Sequence, residues 1–282
     1  MIDHRSDRAG QQLGDYRLLR LLVRHGFADT YLGEHILRHN QVVLRLFHIT
    51  LHEEGGQDFM KEVQVLAHLN HPHILRIIDA VVEDGIPMIV IDATSHETLR
   101  VRHPRGVRLD LATIIPYLEH LASALRYLHD QNLIHHNIQP ESMVIDAEEE
   151  IVLSHFGLTF LAHHTILVAT PALEEAVVEA VSYMAPEQIR GEVAEASDQY
   201  ALAVVVYEWL CGRLPFEGSP LEIIEQHLSA NPPPLRELVP DLAPTIEQAV
   251  LKAMAKEPEQ RFASAEDFVQ ALKQAADPTR IG

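Results

Sequence analysis

The stretch 197–212, SDQYALAVVVYEWLCG, is apolar nearly all the way round a helical turn. Such a helix has no face to give to water, so other elements must enclose it. It carries Glu208, and its apolar part, 201–212, is shorter than the ~20 residues of a bilayer span. The chain must therefore build a body large enough to bury a helix on every side. With 282 residues, 47% of them apolar, it has the material. That length suits one large domain or two lobes sharing a cleft.

Charge and cysteine content narrow the setting. The formal net charge is −19, from 22 basic and 41 acidic residues. A surface of that sign repels nucleic acid and anionic membranes, so neither is expected as a partner. The single cysteine, Cys211, excludes an internal disulfide and suits a reducing cytoplasmic compartment. The opening MIDHRSDRAGQQ has no apolar core of a secretory signal, and no membrane insertion by this chain is expected. The 19 histidines are scattered without HExxH or CxxC spacing, so no metal site is expected.

The texture changes along the chain. Residues 1–13 are polar and read as a flexible start. Between Tyr16 and Asp92, YRLLRLLV, TYLGEHI, VVLRLFHI, ILRIIDAVV and PMIVID are short apolar or alternating runs, as strands require. One helix interrupts them, with Phe59, Val63, Leu66 and Ala67 on a common face. After the boundary near 93–97 the pattern turns helical. Ile114, Leu118, Leu121, Leu125 and Leu128 share one face, and further helices are predicted near 219–229, 244–255 and 264–275. The reading is α+β: five antiparallel strands plus one helix over 14–93, a mainly helical part over 94–277, and a tail over 278–282.

Several short motifs fall in register with that order. They are VVLRLF, Glu62 in the helix that follows, HPHIL (71–75), HHNIQPES (135–142), HFG (155–157), YMAPE (183–187), SDQYALA and PEQRF. Together they resemble the bilobal protein kinase fold in its bacterial serine/threonine form, over roughly 16–275. The resemblance implies an interlobe stack of Leu66, Ile77, His135 and Phe156. It implies that Asp198 holds the catalytic loop and that Glu187 pairs with Arg261. It also implies a nucleotide pocket at Val23, His25, Ala28, Thr30, Val43, Arg45, Glu62 and Val144.

The chemistry-bearing positions depart from the family's pattern. Val23, His25 and Ala28 stand at the three glycine positions of the phosphate loop, where side chains fill space the phosphates need. Arg45 replaces the phosphate-orienting lysine, putting a planar fork where a compact ammonium belongs. Asn137 replaces the catalytic aspartate, and a neutral amide cannot accept a proton as a base. Gln139 replaces the loop lysine. Ser142 and His155 replace the two Mg²⁺ ligands, and Mg²⁺ prefers oxygen to imidazole. Glu179 and Ala180 stand where Gly-Thr is usual.

These departures predict a pseudokinase: no catalytic residue, no enzyme activity and no cofactor, acting as an allosteric or scaffolding module for a protein partner. The apolar run Ile166, Leu167 and Val168 is the candidate partner surface. The alternatives are a weakly active or atypical serine/threonine kinase, or a sensor binding ATP without Mg²⁺.

Overall fold

In a computed structural model, residues 7–24, 28–92, 97–146, 148–154 and 177–276 are described. They fall into two compact units, one of 7–70 and 74–92, the other of 71–73, 97–154 and 177–276.

The first unit is an antiparallel sheet with a helix. Its strands are β1 (Gln12–Leu13), β2 (Tyr16–Arg24), β3 (Ala28–His35), β4 (Gln41–Phe47), β5 (Ile77–Glu83) and β6 (Ile86–Asp92), in the order β1-β2-β3-β4-β6-β5. Alternation drives the pairing: along β3, Ala28, Tyr31, Gly33 and His35 are buried and the residues between them mostly less so. Leu18, Tyr31, Leu44 and Val90 are wholly enclosed and form the core beneath the sheet. Helix α1 (Glu53–Ala67) turns Phe59, Val63 and Leu66 inward and packs on β5. Glu53 and Glu54 in its first turn sit favourably at the positive end of the helix dipole.

The sheet has six strands where the sequence predicts five. The addition is β1, whose Leu13 pairs with Tyr16 and joins the core. Gly14, at a φ of 54°, makes the turn between them. Two residues are too few to show a period of two, so this strand leaves no pattern in a polar stretch.

The second unit holds α2 (Leu99–Arg102), α3 (Leu111–Asp130), the hairpin β7 (Met143–Ile145) and β8 (Ile151–Leu153), α4 (Pro186–Arg190), α5 (Glu195–Cys211), α6 (Pro220–Ser229), α7 (Leu235–Leu238), α8 (Pro244–Ala253) and α9 (Ala265–Ala276). Helix α5 is the one whose sequence gives nothing to water, and every residue from Ser197 to Cys211 is buried. Helices α3, α4, α7, α8 and α9 pack around it. It ends at Gly212, whose φ of 77° is the left-handed stop that glycine adopts without strain. A Cβ there would also lie 2.8 Å from the Gly106 carbonyl oxygen. No helix of the described residues is long and apolar enough to cross a membrane.

Candidate functional site

The loop after α3 is fastened from below by α5. Asp198, 1% exposed, lies in the first turn of that helix. Its carboxylate accepts the His135 N–H at 2.9 Å and the His136 N–H at 3.0 Å. His129 Nε2, near the end of α3, lies 2.9 Å from the same carboxylate. His136 takes a φ of 66°, a left-handed conformation that costs a non-glycine residue about 1–3 kcal/mol. A buried carboxylate bonded to both amides offsets that strain. Gln188 adds a bond from its side-chain amide to the His136 carbonyl at 2.9 Å.

His135 is completely buried. Its Nε2 lies 3.0 Å from the Ser154 carbonyl, which can only accept, so the proton sits on Nε2. Nδ1 then accepts the Asn137 N–H at 3.3 Å. Burial pushes this ring down to about 4, against the pull of Asp198, so it is neutral and structural at physiological pH.

Asn137 and Ser142, the replaced base and metal ligand, are turned on each other. The Ser142 hydroxyl donates to the Asn137 carbonyl at 2.7 Å and accepts from Asn137 Nδ2 at 3.3 Å. Ser142 is wholly buried, and its own carbonyl accepts both the N–H and the hydroxyl of Ser154. Gln139 has a buried side-chain oxygen with no donor among the described residues.

Lower in the unit, Arg261 clamps Glu187 with two parallel bonds of 2.7 Å. The same guanidinium also reaches the carbonyls of Ala196, Ala255 and Lys256. Ser197 donates to Glu187 at 2.8 Å. Burial alone would raise the Glu187 carboxyl, but Arg261 holds it below the usual range.

Pattern reading missed a second buried network. Arg100 donates to Glu141 at 2.5 Å and to Glu208 at 2.7 and 3.0 Å. It also donates to the Tyr183 hydroxyl at 2.6 Å, which in turn donates to Glu208 at 2.6 Å. The one signal in the sequence was Glu208 itself, a charge inside an otherwise apolar helix that needs a buried cation.

The other oxygen of Glu141 is buried and has no donor among the described residues. Glu179 lies beside it, and burial and then the Glu141 charge push its carboxyl up to about 7. A proton on Glu179 supplies the donor that Glu141 lacks. The folded chain thus holds a proton that the unfolded chain releases near the ordinary 4.5. Stability from this pair is present below 4.5 and is lost as pH rises through about 7. Glu179→Gln, which always carries a donor, is expected to melt higher than the parent at pH 8 and nearly with it at pH 5. Thermal melts at the two values check this.

In the first unit, Val23 pairs with Thr30 and Thr30 with Arg45, which places the three on one face of β2, β3 and β4. Val43 and Ala28 are buried, and the Arg45 guanidinium lies 5.6 Å from the centre of the Phe47 ring. Glu62 is carried by α1, and Leu66 and Ile77 are buried within the same unit. Val144 is buried on β7 of the other unit. His25, His155, Phe156 and the run Ile166, Leu167 and Val168 lie outside the described residues.

The family model described as protein kinase domain matches residues 16–276. The chain belongs to the protein kinase family. This kinase domain is 32% identical to serine/threonine-protein kinase PrkC of Bacillus subtilis over 272 residues, covering 95% of the chain and 41% of PrkC. It is 33% identical to serine/threonine-protein kinase PknF of Mycobacterium tuberculosis over 276 residues, 93% of the chain and 56% of PknF. It is 29% identical to serine/threonine-protein kinase Pkn1 of Myxococcus xanthus over 289 residues, 96% of the chain and 40% of Pkn1. The kinase domain thus spans about half, or less, of the length of these relatives.

These findings correct two expectations. Relatives across most of the chain are named serine/threonine-protein kinases, so kinship points to an enzyme and overturns the reading of a non-enzyme. The same kinship points to ATP with Mg²⁺ and overturns the reading of no cofactor.

The described residues fit the metal half of that pair poorly. Of the two positions that stand for metal ligands, His155 lies outside the described residues, and the Ser142 hydroxyl is wholly buried and bonded twice to Asn137, donating to its carbonyl and accepting from its Nδ2, so it has little left to offer a cation.

Proposed function

We propose that this is the kinase domain of a cytoplasmic signalling protein of the serine/threonine kinase group, whose output is carried mainly by protein contacts. ATP is its nucleotide, and phosphoryl transfer is slow. The observation behind this reading is the mutual engagement of Asn137 and Ser142 inside a loop that Asp198 holds fully formed. The frame is maintained at the cost of a strained His136, while the positions of base and metal ligand bond to one another.

Each residue then has a role by chemistry. Asp198 fixes the loop backbone. Asn137 can position a hydroxyl through its amide but cannot remove its proton. Gln139 offers dipoles where a cation would stabilise a transferring phosphoryl group. The lost terms multiply, because proton abstraction and charge neutralisation act on the same transition state.

The test pairs binding with turnover. ATP at 100 Kd is expected to stabilise the chain by about 2.7 kcal/mol, read as a rise in melting temperature. Phosphate transfer from labelled ATP to the chain or to a generic protein acceptor is expected well below the ~1–100 s⁻¹ of ordinary kinases. Turnover within that range would overturn the proposal.

A further inference from the structure

Three histidines of the second unit gather beside β8. His71 and His73 are neighbours in the chain, and His120 belongs to α3. The His73 and His120 rings stack at 4.0 Å between centroids and 10° between planes. The His71 ring lies 5.7 Å from that of His73 and 5.2 Å from that of Tyr127. All three are half-buried, so a proton from water can reach them without unfolding the chain. Their hydrogen bonds decide which ring tolerates one. His73 Nδ1 lies 3.1 Å from the Ile151 carbonyl, which only accepts, so that nitrogen already carries hydrogen. His120 is the opposite case, because its Nδ1 accepts the Ile151 N–H at 3.2 Å. His71 Nδ1 likewise accepts the His73 N–H at 3.1 Å, while its Nε2 lies 3.2 Å from the Ser123 hydroxyl. An imidazolium has no lone pair, so charging His71 or His120 sets two N–H groups against each other.

We propose that His71 and His120 form an acid-released latch on β8, closed at neutral pH, that steadies the 135–142 loop. The His73 carbonyl accepts the Leu153 N–H at 2.9 Å, so the backbone between the two latch histidines is tied to the strand. One residue further on, Ser154 donates its N–H and its hydroxyl to the Ser142 carbonyl and accepts from His135 Nε2. The stretch from Ile151 to Ser154 thus joins the latch to the loop. Burial and then the neighbouring His73 hold both His71 and His120 below the ordinary 6.5. The carboxylates of Glu150, Glu119 and Asp146 pull His120 the other way and do not prevail. Glu119 is already bonded to Lys273 of α9, and Glu150 lies 3.9 Å from His73 Nδ1. Both rings therefore bind protons more weakly in the closed latch than when released. Its stability is full above about 6.5 and is lost as pH falls from there through the folded values, the reverse of the Glu179 pair.

With 19 histidines in the chain, a global melt would not assign the effect, so the readout is local. Amide exchange at Ile151, Leu153 and Ser154 is followed by NMR between pH 7.5 and 5.5 and corrected for the intrinsic rate. Protection there is expected to fall about tenfold, with Leu44 of β4 unchanged. Asparagine takes up no proton, yet its amide oxygen accepts close to the place of Nδ1. At position 71 it keeps the bond to residue 73 as an ordinary Asx turn. The double variant His71→Asn with His120→Asn is expected to hold its protection across the range. A flat profile in the parent, or a fall in the double variant equal to the parent's, would overturn the proposal. If the double variant melts below the parent at pH 7.5, ring titration of the parent decides. His71 and His120 are then expected to titrate below 6.5, in step with the loss of Ile151 protection, and midpoints at or above 6.5 sink the latch.

Discussion

Arg261→Ala is expected to cost the kinase domain about 3–5 kcal/mol, the price of breaking one side of a buried ion pair. The side chain is sealed from solvent and meets Glu187 with both ends of its fork. Truncation leaves Glu187 as an uncompensated charge and strips donors from the carbonyls of Ala196, Ala255 and Lys256. Arg261→Lys should rescue little, because a single ammonium cannot reproduce two parallel bonds and the backbone bonds together. Glu187→Ala should cost a similar amount, and the double variant less than the sum, since it leaves no orphan charge. Urea unfolding of the four proteins gives the cycle. Additive costs would mean that the two groups act independently and that the clamp is not what joins α4 to the α8–α9 turn.

Restoring Asn137→Asp, Ser142→Asn, His155→Asp and Arg45→Lys together is expected to raise phosphate transfer by at least about 10²–10⁴. Asn137→Asp alone supplies a base but no metal ligand, so its gain should be much smaller. The four together return a base, two oxygen ligands for a hard cation and a compact ammonium for the phosphates. The Ser142 hydroxyl is wholly enclosed, so the larger asparagine has to push into the space beside Asn137 and Ser154. Melting temperature must therefore be read alongside transfer. A folded quadruple variant with no gain would move the limiting defect to the phosphate loop, where Val23 and Ala28 still stand.

The fold was legible because its signals are long and repeated. Helix α5 announces itself by having no polar face, α3 by five apolar residues at helical spacing, and the first unit by alternation. Where evidence is short it fails. Strand β1 has two residues and no period, and its pairing is decided by Leu13 reaching a distant core. The loop and its anchor were readable through motif order, since Asp198 and the 135–142 run each sit in a distinctive context. The Arg100 network was not. Glu141, Tyr183 and Glu208 lie far apart in the chain, and only folding shows that one guanidinium serves all three. The same holds for Glu179, whose proton is held by burial and then by a neighbour 38 positions away.

The attachment of the loop to Asp198 bears on how such a chain can change over generations. Both backbone amides that fix the loop are addressed by a carboxylate on a helix sealed in the interior. The amide of a peptide bond is the same whatever side chain it carries. Substitutions at 136, 137 and 139 can therefore accumulate without withdrawing a single tether, so shape is inherited separately from reactivity. A lineage can exchange the reagents of this loop many times over and still keep the same backbone course.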